Sequence, residues 1–199
     1  MAETINTATP DYIVEGVLTD GESWVPLITN ILDATASEII FESTTGANEW
    51  SQYMDLVMII YGRANHSASY RNINISFNDD TTAANYTTQY YVGDGGGGSP
   101  TGYSTYAGYY YGWVPAHSTT DAIYGAGMIT FYDINSGKRK SSTSWTANDA
   151  AGSGAVYLGA NAWENTPAIT KIKFECQSGD THEDTRIDLF GVLPRMVTA

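Results

Sequence analysis

The sequence predicts an all-β protein: an antiparallel β-sandwich, jelly-roll-like or immunoglobulin-like, with an N-terminal arm. Three observations point there. Short runs alternate apolar and polar residues, clusters of Gly, Asn, Asp and Ser separate the runs, and no stretch carries helical periodicity. A chain of 199 residues fits one such domain, or one domain and an extended arm, and is long enough to bury a core without disulfides. Only 16% of residues are charged, so the polar surface must come from Asn, Ser, Thr and Gly, which suits pleated faces and turns.

Residues 1–35 stand apart as an N-terminal arm or a first pair of strands, with 36–199 forming the sandwich. They hold Pro10 and Pro26 and two apolar stretches, Tyr12-Ile13-Val14 and Trp24-Val25-Pro26-Leu27-Ile28, joined by the turn-like Asp20-Gly21-Glu22. On a free monomer Trp24, Val25, Leu27 and Ile28 would form an apolar patch, which makes them interface candidates. The first strand of the sandwich proper is Glu38–Phe41. Met54–Tyr61 is nearly continuous apolar and reads as a central strand. Arg71–Phe77 alternates, with Ile73, Ile75 and Phe77 inward. Met128–Tyr132 places Ile129 with Phe131, and the same phase joins Val156 to Leu158, Ile172 to Phe174 and Ile187 to Leu189. Asn135-Ser136-Gly137 marks a hairpin tip.

Between these strands lies a flexible loop, Gly93–Pro100, followed by the tyrosine-rich Tyr103–Trp113. Tyrosine and tryptophan offer stiff contact area with a polar tip, so Tyr106, Tyr109, Tyr110, Tyr111 and Trp113 are further interface candidates, for protein or for a stacked glycan.

Charge excludes several function classes. Nine Lys and Arg stand against 22 Asp and Glu, a formal net charge of −13. Nucleic-acid binding needs cations to displace phosphate counterions, and anionic membranes repel such a surface. No apolar run approaches a membrane span, and Met1-Ala2-Glu3-Thr4 does not open a secretory signal, so synthesis in a cytoplasm is expected. The single cysteine, Cys176, shares the phase of Ile172 and Phe174 and reads as a buried inert thiol.

No motif assigns a catalytic, cofactor or metal residue. Gly93–Gly98 satisfies G-x-G-x-x-G, yet Ser99-Pro100-Thr101-Gly102 follows where a helix must begin. His66, His117 and His182 lack the short regular spacing of metal pairs. Asn78-Asp79-Asp80 offers oxygens to a calcium ion without the ligand spacing of an EF-hand. There is no nucleophile elbow, and nothing selects a carboxylate pair for glycoside hydrolysis.

Several segments together resemble a family of small structural proteins of tailed-bacteriophage virions. Tyr53-Met54-Asp55-Leu56 runs as an apolar strand to Arg63. Phe77-Asn78-Asp79 precedes Asn85-Tyr86, and Gly125-Ala126-Gly127 opens a strand that closes on Tyr132-Asp133. Trp163 is followed by Asn165-Thr166-Pro167-Ala168-Ile169-Thr170, and the last strand is Arg186 to Gly191. The likeness covers residues 37–193 and departs at 1–35 and at the Gly- and Tyr-rich stretch. It implies a β-sandwich virion part without catalysis or cofactor. On that basis the expected function is capsid decoration, a cement protein on the outer head surface that binds the major capsid protein and itself as a homotrimer. The alternatives are a tail-fibre or receptor-binding module contacting host glycan and, from another class, a glycan-active enzyme.

Overall fold

In a computed structural model, residues 24–94, 110–116, 123–149 and 154–193 are described in full, and 13–14, 17–18 and 98–103 as backbone only. Sixteen strands run through these residues. The first eight are β1 (Ile13–Val14), β2 (Val17–Leu18), β3 (Trp24–Ile31), β4 (Ile39–Glu42), β5 (Asp55–Gly62), β6 (Ala64–Asn65), β7 (Tyr70–Phe77) and β8 (Tyr86–Gly93). The rest are β9 (Gly98–Tyr103), β10 (Tyr110–Pro115), β11 (Gly125–Tyr132), β12 (Lys140–Asn148), β13 (Ala155–Trp163), β14 (Lys171–Cys176), β15 (Asp180–Thr181) and β16 (Arg186–Val192).

Two antiparallel sheets carry the architecture. The larger is ordered β3-β16-β5-β11-β12-β13-β8-β9, and the smaller β10-β7-β14-β4. Period-two alternation turns one side of each sheet inward. Leu56, Met58, Ile60, Ile129, Phe131, Ile187 and Leu189 from the large sheet meet Ile73, Ile75, Phe77, Ile172 and Phe174 from the small one, all buried. Phe77 sits at the aromatic centre of this core. Its ring lies edge-on to Phe131 at 5.4 Å and tilted against Trp163 at 5.4 Å. Asn135-Ser136-Gly137 lies in the turn joining β11 to β12, where the Asn135 side-chain amide donates to the carbonyls of Trp50 and Tyr53.

Three expectations need correction. First, a division at residue 35 does not separate an arm from the sandwich. Trp24–Ile31 pairs along its length with β16 as the outermost strand of the large sheet, so the reading of this stretch as an early strand is the one that applies. Second, the nearly continuous apolar run Met54–Tyr61, which on that pattern would be a central strand covered on both faces, is central but covered on one: Tyr61 points outward and is exposed. Third, Val156 and Leu158 point outward, 49% and 52% exposed. The inward phase of β13 belongs instead to Tyr157, Asn161 and Trp163. Rings win that contest because Trp163 fills the space beside Phe77 and the Tyr157 hydroxyl reaches the Tyr110 carbonyl at 3.2 Å.

The small sheet's β10 lies unusually close to the large sheet. Gly112 has φ +151°, and a Cβ there would sit 2.4 Å from Thr146 Cγ2. Its absence lets the Trp113 N–H donate to Thr146 Oγ1 at 2.9 Å.

Candidate functional site

Three of the segments quoted above, Phe77-Asn78-Asp79, Asn85-Tyr86 and Trp163 to Thr170, meet in one hydrogen-bonded clasp at an end of the sandwich. Asn78 and Asp79 follow β7 with φ of 50° and 59°, a left-handed turn that Asn and Asp tolerate better than most residues. The Asn78 amide oxygen accepts from the N–H groups of Thr170 and Lys171 at 2.9 and 3.1 Å, and its amide nitrogen donates to the Ala168 carbonyl at 2.8 Å. Asp80 is the hub. One carboxylate oxygen accepts from Asn85, Trp163 Nε1 and Asn165 at 2.9, 2.8 and 2.7 Å, and the other from the Thr82 N–H at 3.0 Å. Tyr86 closes the knot by donating to the Asp80 carbonyl and accepting from the Phe77 N–H.

Burial works against the Asp80 charge, but the hydrogen bonds from Trp163, Thr82 and Asn85 outweigh it and hold the carboxyl below its ordinary range. A carboxylate so held is an acceptor that orders its neighbours, not a proton donor. A second motif pair meets elsewhere. A Cβ on Gly191 would fall 2.5 Å from the Tyr53 ring, so the Phe-Gly ending of the last strand is the complement of the tyrosine before β5. Both contacts are architectural: they hold strand ends together.

The sequence-derived interface candidates divide. Val25, Leu27, Tyr110 and Tyr111 are buried within the protomer, and Ile28 packs on the same core, so as placed they offer little or no surface to a partner. The reason is geometric: β3 turns Val25 and Leu27 under the sheet, while Tyr111 reaches Ser142 through its hydroxyl. Trp24 remains exposed beside Phe190, and Trp113 stacks on Tyr70 at 4.3 Å. Tyr106 and Tyr109 lie outside the described residues, as does His117.

Other reactive side chains are occupied structurally. The Cys176 thiol is buried, takes a hydrogen bond from Thr181 Oγ1 at 3.6 Å, and is pushed up to about 12 by burial. Lys140 donates to the carbonyls of Ser136, Lys138 and Thr166, and burial lowers its pKa. His66 packs against Arg71, and His182 against Tyr124. Among the described residues no group of three His, Cys, Asp or Glu is placed to hold a metal ion. No helix among them is long and apolar enough to cross a membrane.

What the structure exposes instead is the outward side of the large sheet. Cross-strand register aligns Ile59, Met128, Trp145, Leu158 and Tyr91 in one row across five strands. Tyr61, Ala126, Ala147 and Val156 form the next row. Trp145, Leu158 and Tyr91 are each about half exposed, 46%, 52% and 46%. On the outward positions of β8, β11, β12 and β13 there is no Asp, Glu, Lys or Arg. The neighbouring strands β5 and β16 do carry ionic groups on this side: Asp55, which accepts from the Asp133 N–H, and the Arg186–Asp188 pair. Sequence reading missed this surface because β12 inverts the usual pattern. Its inward phase is Lys140, Ser142, Ser144, Thr146 and Asn148, and its one large apolar residue faces out. The available signal was Trp145 alone in a run of serine and threonine.

No family model, no curated protein and no solved structure matches the chain.

Proposed function

We propose that the protein is a structural assembly protein of a tailed-phage virion, decorating the outer head surface and acting by protein contact rather than by turnover of a substrate. The observation that carries the assembly reading is the outward face of the large sheet. Water-exposed Trp145, Leu158, Val156, Tyr91 and Tyr61 share a surface that carries no charge over four strands. Exposed apolar side chains gathered on one sheet face mark contact surfaces in soluble proteins. Burying such a face leaves no backbone group orphaned, because the ladder already pairs the strand N–H and C=O groups. The virion setting comes from the resemblance across residues 37–193 alone.

The test is sedimentation with particles. Shells of the encoding phage, prepared without this protein, should carry it down at saturating stoichiometry and resist heat better afterwards. Protein that stays in the supernatant at physiological salt overturns the reading.

A further inference from the structure

We infer that Lys140 serves as a tethered cation: the carbonyls of Ser136, Lys138 and Thr166 build an ammonium site, and the lysine fills it from within. Its charge, more than the packing of its stem, joins two loops at one end of the sandwich. This role is independent of any virion setting.

Lysine is almost never fully buried unless its charge is answered. Lys140 is 2% exposed and opens β12, where Trp163 is its cross-strand partner. No carboxylate among the described residues bonds to its ammonium. Its Nζ donates instead to three main-chain carbonyls: that of Ser136, that of Lys138 at 2.6 Å and that of Thr166 at 3.1 Å. An ammonium on a side chain has three N–H groups to give, and all three are used. Burial alone pulls the pKa down, and three converging carbonyl dipoles work the other way by favouring the charged form. Rings of carbonyl oxygen that replace water around an ion are how proteins hold monovalent cations.

The oxygens come from two separate segments. Ser136 and Lys138 belong to the turn between β11 and β12, and Thr166 to the connection between β13 and β14. That connection is already pinned one residue earlier, where the Asn165 amide donates to the Asp80 carboxylate at 2.7 Å. One anion and one cation therefore hold neighbouring residues of the same loop. Further along, the Ile169 N–H donates to the Ile134 carbonyl at 3.0 Å and ties the same two segments.

The arrangement selects an ammonium. A guanidinium is flat, and its donors form a fork that does not match three oxygens around one point. With the lysine shortened, a free ammonium ion can give three N–H groups to the carbonyls and turn the fourth to water in the space the stem leaves.

Chemical rescue separates charge from packing. Lys140→Ala should melt well below wild type in sodium chloride. Ammonium chloride at equal ionic strength should restore part of that loss in the variant and leave wild type unmoved. A site of about 50 mM affinity raises the folding constant about elevenfold at about 500 mM ammonium, a rise of about 3–6 °C for a chain of this size. Tetramethylammonium has no N–H and should restore nothing. Lys140→Met keeps the bulk of the stem in the site and should gain nothing from ammonium. An alanine variant that answers all three salts alike, or a methionine variant rescued as well, overturns the site. If Lys140→Ala folds in none of the salts, the wild type decides. In the folded protein, acetic anhydride should modify exposed Lys138 and spare Lys140 until urea unfolds the chain. The Lys140 ammonium should also give a slowly exchanging proton–nitrogen NMR signal. Lys140 acetylated as fast as Lys138, or an ammonium signal lost to rapid exchange, overturns the site.

Discussion

Replacing Asp80 by alanine removes the acceptor at the centre of the clasp, and its cost can be worked from the partners it strands. Trp163 is 2% exposed, so its Nε1–H loses its 2.8 Å bond at a place its own ring largely shields from solvent. An orphaned buried donor costs about 1–3 kcal/mol. Asn85 and Asn165 are half-buried and can turn to solvent. Their two bonds to an ionised acceptor then contribute about 1 kcal/mol between them after rehydration. The sum is roughly 3 kcal/mol, which for a chain of this size lowers the melting temperature by about 6–12 °C. Urea melts followed by tryptophan fluorescence measure it. The loss must also depend on pH. Asp80 titrates below its ordinary 3.8 when folded, so the ionised form is the stabilised one. Its contribution is whole above that value and fades as pH falls through the folded pKa. The gap between wild type and variant should therefore narrow on acidification. A gap under about 0.5 kcal/mol, the size of an ordinary surface change, would refute the hub. So would a gap of constant size from neutral pH down to about pH 3.

Leu27→Ala should cost about 2–5 kcal/mol, because Leu27 is 1% exposed in the core, and deleting β3 should unfold the sandwich instead of yielding a trimmed, folded domain; a stable truncated protein contradicts the placement of this strand. Gly191→Ala should destabilise by more than about 2 kcal/mol by driving a methyl into the Tyr53 ring, and a melt indistinguishable from wild type contradicts that contact. Native Cys176 should resist a thiol reagent at about pH 8 and react once urea unfolds the chain, since its thiol is pushed up to about 12; rapid labelling of folded protein contradicts its burial.

Much of the core was legible because apolar side chains at period two leave one answer. Ile73, Ile75 and Phe77, Ile129 and Phe131, Ile172 and Phe174, and Ile187 and Leu189 all turn inward as their spacing requires. The phase failed at β13, where Val156-Tyr157-Leu158 offers an apolar residue in both registers. Only the facing strand decides which side is covered. It failed again for Trp24–Ile28, since an apolar edge strand and an apolar arm look alike until its pairing with β16 is known. The candidate surface was hidden for a related reason. Ser142, Ser144 and Thr146 line the inward side of β12, where Thr146 and Ser142 bond β10 through Trp113 N and Tyr111 Oη. A polar run that faces inward forces its one tryptophan out, and composition cannot show that. Asn78, Asp80, Asn85, Trp163 and Asn165 do meet, and their hydrogen bonds join strand ends, a role that spacing along the chain does not reveal.

The most direct test of the proposed virion role is a cryo-electron microscopy map of phage particles assembled in the presence of this protein. Two-sheet density is expected on the outer shell, with the outward face bearing Trp145 and Leu158 buried against a neighbouring protein. Shell density without the sandwich, or a sandwich whose Trp145 face stands open to solvent, would contradict it.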